Sequence, residues 1–521
     1  VHTDKAKATA KAKAIIAGGV YRVSEQVPLE PLMAPVNNAT LIVGGGIAGI
    51  TAALEIAEAG YPVHIVEREP SIGGHMAQYD KTFPSLDCAA CILTPKMVDA
   101  GAHPNISLHT WSEVEEVSGS VGDFKIRIKH KPRMVVEEDC TGCGICVDKC
   151  PVQVIDTGFE SGIGYRKAIY TPFPQAVPKY PVLTPDNCTY FANGKCKACE
   201  KFCPTDAIDF TQTDEFVEIT VGNILLATGF QPFDARRIES LGYGRLPNVF
   251  TSMEFERMSN AAGPTGGKIV LRDGVTEPKS VVIVHCVGSR DKNTNEYCSA
   301  ICCMQSLKFA HLVKEHTDAD VYQCYIDMRT PGKGYDEFYN RILDEGTQFI
   351  RGRVAEVTDS MVFLSRLPEE VGHEGRLVVQ VEDTLAGVKR HIPADMVILS
   401  TGLEPQPDAT EVARMFGVGC SSKGFIIERH AKLDPVATMT DGVFAAGATL
   451  GPRDIPTSVS NGAAAAATIL SRIAQGEIAM EPYRATVDAE RCSGCRICND
   501  LCPFSAITFD ESAMVTEINP K

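Results

Sequence analysis

Apolar runs of strand length recur along the chain, closed by glycine, a Thr-Gly pair or an acid instead of continuing at helical spacing. Runs of this kind, bounded by turn residues, predict strands buried on both faces of a parallel sheet. Thr40 to Val43 is the first; it enters Gly44-Gly45-Gly46-Ile47-Ala48-Gly49, a helix follows to about Ala59, and Pro62 to Val66 forms a second strand ending at Glu67. Val221 to Ala227 reads as a strand that ends in Thr228-Gly229, and Asp395 to Ser400 as another that ends in Thr401-Gly402. Ser280 to His285 and Asp320 to Ile326 belong to a separate β/α unit opening near Pro278. Asp441 to Gly447 is the last of these strands, ahead of an alanine-rich helix through about Ile473. Two stretches break the pattern: roughly 131–210 is rich in Cys and Pro, and 486–521 turns Cys-rich again. The pattern therefore predicts an α/β chain of two lobes, interrupted by one small cysteine-rich domain and followed by another. Lys5 to Ile16, rich in Ala and Lys, reads as a solvated helical connector.

Composition narrows the class. At 521 residues the chain is too long for one ordinary domain and suits about three or four. A formal charge of −16 is the reverse of a nucleic-acid footprint. No uninterrupted apolar run reaches bilayer length, and no secretory h-region is visible. The 20 cysteines, in a large chain without a secretion signal, point to reduced, metal-loaded thiols in the cytoplasm. The first residue is Val1, which suggests a processed or shortened sequence.

The turn Gly44-x-Gly46-x-x-Gly49, set between a strand and a helix with Glu67 closing the next strand, is a dinucleotide fingerprint. Gly44 permits the tight turn, Gly46 lets the backbone approach a pyrophosphate, and Gly49 allows close helix–strand packing. The helix N-terminus faces the phosphates, and Glu67 stands where a carboxylate reaches ribose hydroxyls. FAD is favoured over NAD by Ala227-Thr228-Gly229 and by Val443-Phe444-Ala445-Ala446-Gly447-Ala448, patterns of two-dinucleotide flavoproteins. Ala448 stands where such proteins carry an acid, so one ribityl or phosphate contact is missing from the pattern. The helix from about Pro456 can aim backbone N–H groups at the flavin's pyrimidine edge. A nicotinamide lobe needs a second glycine fingerprint after the strand near 280–285; the chain reads His285-Cys286-Val287-Gly288-Ser289-Arg290, with a cysteine in the first glycine's place. NAD(P) binding there is not expected.

Cysteine spacing carries the rest. Cys140-x2-Cys143-x2-Cys146-x3-Cys150-Pro151 is a bacterial ferredoxin run. Cys188-x7-Cys196-x2-Cys199-x3-Cys203-Pro204 is its partner with an enlarged first gap. In such pairs the fourth cysteine of each run serves the other cluster. Cys140, Cys143, Cys146 and Cys203 are thus expected on one [4Fe–4S] cluster, and Cys150, Cys188, Cys196 and Cys199 on a second. Zinc is the alternative, and the paired runs with their prolines argue against it. Cys492-x2-Cys495-x2-Cys498-x3-Cys502-Pro503 is half of a third such module, so a continuation beyond Lys521 or non-standard ligation is expected. A fourth set is less usual: Cys286, Cys298, Cys302 and Cys303, with Cys298 and Cys302 expected on one helix face and Cys286 arriving from a strand end. For Cys88-Ala89-Ala90-Cys91 a reactive dithiol, cluster ligation and inert packing stay open; Cys324 and Cys420 read as small buried hydrophobes.

Taken together these residues resemble the flavin-bearing A-type polypeptide of heterodisulfide reductase, found in methanogens and in bacterial and archaeal relatives. The likeness runs from about residue 38 to 510, through Ile72-Gly73-Gly74-His75-Met76-Ala77, Lys81-Thr82-Phe83-Pro84, Tyr165-Arg166-Lys167-Ala168-Ile169-Tyr170, Pro172-Phe173-Pro174-Gln175-Ala176-Val177, Cys286-Val287-Gly288-Ser289-Arg290-Asp291 and Tyr297-Cys298-Ser299. The family's separate N-terminal cluster domain is not recognisable in 1–37, and its C-terminal ferredoxin is cut in half. The resemblance implies a thioredoxin-reductase-like core of two dinucleotide domains binding FAD, Gly74 among its contacts, with an inserted two-cluster ferredoxin and a partial C-terminal one. It implies a cluster on Cys286, Cys298, Cys302 and Cys303, hence three or more [4Fe–4S] clusters, and a Lys308 beside the flavin's reactive edge. It also implies electron bifurcation. Pairs from a hydrogenase or formate dehydrogenase partner divide between ferredoxin and a heterodisulfide of the CoM-S-S-CoB type. The heterodisulfide branch runs through heterodisulfide reductase B- and C-like subunits, in a large complex open to dimerisation. The expected division is 1–37 connector, 38–130, 213–264 and 391–485 flavin domain, 131–212 inserted ferredoxin, 265–390 nucleotide-free second lobe, and 486–521 partial ferredoxin. Three other readings compete: a ferredoxin:NAD(P)H oxidoreductase of the glutamate-synthase small-subunit type, a flavin disulfide reductase using Cys88 and Cys91, and a plain electron wire.

Overall fold

The computed structural model describes residues 4–26, 28, 29, 31–359, 376–480, 485–502 and 507–518. The chain forms two compact units, Asn37–Ala474 and a second built from Val1–Val36 with Gln475–Lys521. Among the described residues no helix is long and apolar enough to cross a membrane.

The larger unit holds two parallel sheets of five strands each. The first runs, edge to edge, Val443–Ala445, Asn223–Leu226, Thr40–Val43, Val63–Glu67 and Ile106–Thr110. The second runs Val249–Thr251, Met396–Thr401, Ser280–Val287, Asp320–Tyr325 and Gln348–Arg351. Each central strand is apolar because helices or loops cover both faces: every residue of Ser280–Val287 is buried. Each sheet is joined by an antiparallel three-stranded meander, centred on Asp123–His130 in the first lobe and on Leu377–Asp383 in the second. The two lobes thus repeat one plan.

That repeat changes the expected boundaries. Val249–Thr251 and Met396–Thr401, assigned from sequence to the flavin domain within 213–264 and 391–485, hydrogen-bond into the second lobe's sheet. Local sequence does not separate the two cases, because an apolar strand ending in Thr-Gly closes the same position in both lobes.

The inserted segment carries short strand pairs, Gln153–Asp156 with Gly164–Lys167 and Ile169–Tyr170 with Val182–Leu183, and a small core of its own. Cys146, Cys150, Cys188 and Cys199 are among that core's buried residues. The smaller unit has an exposed helix, Lys5–Ser24, started by Asp4, which accepts from the backbone N–H of Ala6 and Lys7. It also pairs Leu32–Pro35 with Glu477–Met480, so segments from near the two ends of the chain share a strand pair. A hairpin, Ile507–Asp510 with Val515–Ile518, follows the short helix Ile497–Leu501.

Close backbone contact sets the geometry of the first lobe. In the long helix Ile455–Gln475, a methyl group at Gly462 would stand 2.4 Å from the carbonyl oxygen of Ala48, in the helix Ile47–Glu58. Alanine within a helix ordinarily gains about 1 kcal/mol over glycine, whereas overpacking a tight core contact costs about 1–3 kcal/mol. Gly462→Ala is therefore expected to lower the thermal midpoint. Gly18→Ala, in the exposed helix with nothing within 4 Å, should leave it unchanged or raised. Calorimetry of the two variants checks the opposite signs.

Candidate functional site

A large cavity of about 880 Å³ opens at the carboxyl ends of the first sheet's strands, the size of a dinucleotide site. Gly44, Gly46, Glu67, Gly74, Thr228, Gly229, Gly447 and Pro456 all line it. Gly49 does not; it packs the helix on the turn, where an added methyl would stand 2.1 Å from the Gly44 carbonyl oxygen. A methyl at Gly46 would meet nothing within 4 Å, so that face of the turn is open for a ligand to approach the backbone. Glu67 is buried; its carboxylate accepts from the Gly45 N–H at 2.7 Å and the Glu69 N–H at 2.9 Å. Burial raises the acid's pKa and these two N–H donors pull it back. The donor set, an open glycine turn with a held carboxylate at the end of the next strand, fits a dinucleotide such as FAD.

The helix Ile455–Gln475 begins in the cavity wall, with Ile455, Pro456 and Ser458 lining it. Ala448 lines the cavity as well, as does Asp454, which accepts from the Thr457 N–H at 3.0 Å and the Tyr335 hydroxyl at 2.5 Å.

Lys308 lies at the cavity wall and is 2% exposed, not a surface lysine. Its Nζ donates to Glu256 Oε1 at 2.5 Å and to the Lys81 carbonyl at 2.9 Å. Gln305 and the Asp80 N–H also donate to Glu256. Sequence reading missed Glu256. It sits in Ser252–Ser259, a short helix of mixed charge in which every residue is buried, and nothing local links it to a lysine fifty-two positions on. Also missed were cavity residues of the inserted segment: Phe159 and Phe173, stacked at 4.8 Å, and Arg166 over Tyr170 at 4.1 Å.

The cysteines gather into sets. Among the described residues no group of three or more ligating side chains is closed to metal-binding geometry, but the thiols are near enough to feel one another's charge. Cys140 is pushed up by burial and by Cys203 and Cys143; Cys146, at about 12, by burial and chiefly by Cys140. Cys199, at about 11, is pushed up by burial and by Cys188 and Cys150. Cys146 also feels Cys199 of the second run, so the two runs lie close together; Cys196 stands in the loop before the helix Ala198–Lys201. Burial and mutual repulsion both oppose ionisation, so these sets suit a cationic iron core that holds thiolates.

Cys286, Cys298, Cys302 and Cys303 form another such set. Burial raises Cys302 well above a free thiol, with Cys286, Cys303 and Cys298 adding to it. One expectation fails here: Cys298 and Cys302 do not share a helix face. The helix is Cys302–His316, and Cys298 precedes it in a loop where Ala300 takes positive φ and its N–H donates to the Cys298 sulfur at 3.3 Å. A left-handed residue cannot continue a helix, and spacing does not reveal it. A second correction concerns register. Val43 pairs with Leu226 and Val284 with Leu399, each two residues ahead of a Thr-Gly. His285, not Cys286, is thus the counterpart of Gly44. Cys286 falls one residue on, in a bulge at φ +58°. His285 is buried, bonded to Gln323 at 2.7 Å, so side chains fill the place of a phosphate turn.

Cys88 and Cys91 are exposed at the start of the helix Ala89–Ala102, the Cys91 N–H donating to the Cys88 sulfur at 3.3 Å, and neither lines the cavity. Cys324 is buried in the second-lobe core, while Cys420 is only half-buried against the first. In the smaller unit Cys492 and Cys495 precede the helix Ile497–Leu501, Cys498 lies in its first turn and Cys502 caps its end.

Two Rossmann lobes around a dinucleotide cavity, with thiol sets in the second lobe and in the insert, define an iron–sulfur oxidoreductase of the flavin-reductase type. Family models agree: an NAD(P)-binding Rossmann-like domain matches residues 42–104, a 4Fe-4S dicluster domain 139–207 and a 4Fe-4S binding domain 485–508. The iron-sulfur A-type polypeptide of the CoB–CoM heterodisulfide reductase of Methanocaldococcus jannaschii is 45% identical over 99% of this chain and 77% of its own length. The A-type polypeptide of the H2:CoB-CoM heterodisulfide,ferredoxin reductase of Methanothermobacter marburgensis is 44% identical over 98% of this chain and 75% of its own length. Thioredoxin reductase of T. acidophilum aligns over 84% of this chain and 99% of its own, at 15% identity and a TM-score of 0.46. The chain belongs to the family of A-type heterodisulfide reductase polypeptides.

The Lys308–Glu256 pair yields a stability prediction. Removing one partner of a buried pair leaves an uncompensated charge and costs about 3–5 kcal/mol, whereas removing both is close to neutral. Lys308→Met should lower the denaturant midpoint sharply and Lys308→Met with Glu256→Gln should restore most of it; equal losses in both would show that the pair is not closed in solution.

Proposed function

We propose that this chain is the electron-distributing flavin component of a larger complex. It takes electron pairs from a hydrogenase or formate dehydrogenase partner and divides them between ferredoxin and a heterodisulfide of the CoM-S-S-CoB type, the latter through B- and C-like subunits. The name of the Methanothermobacter relative, which joins hydrogen, heterodisulfide and ferredoxin, supports this reading. A chain of reduced thiols suits a cytoplasmic setting.

One observation carries it. The helix Cys302–His316 bears Cys302 and Cys303 in its first turn, and Gln305 and Lys308 in the next, where both line the cavity. A single rigid element thus joins a thiol set to the dinucleotide site. Bound in the cavity, FAD supplies what no side chain can, the uptake of electrons in pairs and their release singly. The protein's part is to hold and tune. Gly44, Gly46, Gly49, Glu67, Gly74, Thr228, Gly229, Gly447 and the helix start at Pro456 bind the cofactor, and Lys308, anchored by Glu256, presents a fixed positive charge at its wall. Cys140, Cys143, Cys146 and Cys203 hold one [4Fe–4S] cluster, and Cys150, Cys188, Cys196 and Cys199 a second. Cys286, Cys298, Cys302 and Cys303 hold a third, and Cys492, Cys495, Cys498 and Cys502 serve the C-terminal module.

Anaerobically isolated protein is expected to carry one FAD and at least three clusters, about four irons each. NADH and NADPH should leave the flavin oxidised, since His285 and Cys286 stand at the second lobe's turn. Acid-extracted flavin, iron assays and stopped-flow mixing under argon check this; flavin bleaching by either nucleotide would favour the ferredoxin:NAD(P)H oxidoreductase instead.

A further inference from the structure

Beside the set at Cys286 stands a half-buried charge that the proposed function leaves without a task. Arg290 follows the strand bulge in a left-handed conformation, φ +57°, and its N–H donates to the Tyr297 carbonyl at 3.0 Å. That bond ties the loop bearing Cys298 to the strand end bearing Cys286. The guanidinium is committed on one side only: Nη2 donates to Asp327 Oδ2 at 2.7 Å, while Nη1 is buried with no hydrogen-bond partner. A buried donor left unpaired costs about 1–3 kcal/mol, more when charged, so its retention calls for a compensating anion.

The surroundings supply one. Arg290 lies within electrostatic reach of Cys286, Cys298 and Cys303. Its approach to the Cys286 sulfur is loose, short of a bond of ordinary geometry, and acts mainly through charge. A backbone N–H of Arg329 also donates to Cys303, and the Cys303 thiol donates to the Asp327 carbonyl at 3.6 Å. The Asp327 carboxylate has the opposite sign and is bonded to Arg290 and, at 3.1 Å, to Arg351.

Resting on the reading that these four cysteines hold a cluster, we infer that Arg290 is a positioning residue that sets this cluster's reduction potential, with Asp327 as its counterweight. Reduction adds one electron, drawn in the test from dithionite, with no bond made or broken and no proton taken up. The added negative charge lies beside the guanidinium, which stabilises the reduced form by Coulomb attraction in a site of low dielectric. Removing the guanidinium should lower the potential, and removing the Asp327 charge should raise it.

The test uses the full chain purified anaerobically with its native partners, in five forms: parent, Cys302→Ala, Arg290→Gln, Arg290→Lys and Asp327→Asn. Cys302→Ala identifies the signal: its iron should fall by about four per chain, and the spectrum it loses on dithionite reduction belongs to this cluster. A redox titration followed by electron paramagnetic resonance then reads the midpoint. Arg290→Gln should keep its iron and hold the last electron about tenfold less tightly, about 59 mV lower for a one-electron couple. Asp327→Asn should shift the other way, and Arg290→Lys should return to the parent value. If Arg290→Gln sheds iron, an upward shift in Asp327→Asn still supports the proposal, and its absence overturns it. Full iron with an unmoved midpoint in both variants overturns it outright, as do shifts of the same sign in both. Unchanged iron in Cys302→Ala would instead show that the four cysteines hold no cluster, the separate failure of the reading beneath it.

Discussion

A strand buried on both faces can place chemistry only at its ends, and this constraint orders the whole of the larger unit. Along Ser280–Val287 every side chain is enclosed, so a polar group within the run needs its own partner. The chemistry therefore collects where parallel strands finish. Gly44, Glu67, Thr228 and Gly447 stand at the carboxyl ends of the first sheet, and Cys286, Asp327 and Thr401 at those of the second. Parallel sheets with crossover connections leave a crevice at that edge, and the cavity lies there.

The same fold serves opposite ends in its two lobes. In the first, a four-residue strand passes straight into a glycine turn and a helix, bringing backbone N–H groups to an open face. In the second, a bulge after Val284 and a long loop separate the strand from its helix. Into that space the chain brings Cys286, Cys298, Cys302 and Cys303. The repeat of architecture without a repeat of turn chemistry is what gives one lobe a dinucleotide cradle and the other a thiol set.

Buried charge is the other organising cost. Lys308 with Glu256 and Arg257 with Glu160, the latter bidentate at 3.0 and 3.1 Å, lie where helix, cavity wall and inserted segment meet. Such pairs bring little net stability compared with apolar packing, but they fix position, because a displaced partner leaves a bare charge in the interior. They hold the helix that carries Lys308 against the flavin lobe's Lys81, and the insert's Glu160 against the helix Ser252–Ser259.

Sequence by itself determined what depends on near neighbours. The glycine turn, Glu67 closing the next strand and the ferredoxin runs all follow from fixed short spacings, since a turn or a cluster-binding loop is closed by residues a few positions apart. The direction of the helix at Pro456 was legible for the same reason. What only the tertiary structure decided lies across long separations or in single backbone angles. Val249–Thr251 and Met396–Thr401 join the second sheet because hydrogen bonding, not composition, chooses between two lobes with matching strands. Glu256 meets Lys308, and Asp327 meets Arg290, only when distant segments close on each other. One left-handed residue, Ala300, keeps Cys298 off the helix, and the pairing of Val284 with Leu399 sets His285, not Cys286, in Gly44's place. Periodicity records which residues are buried, whereas a bulge, a left-handed turn or a buried ion pair depends on what the rest of the chain presses against it.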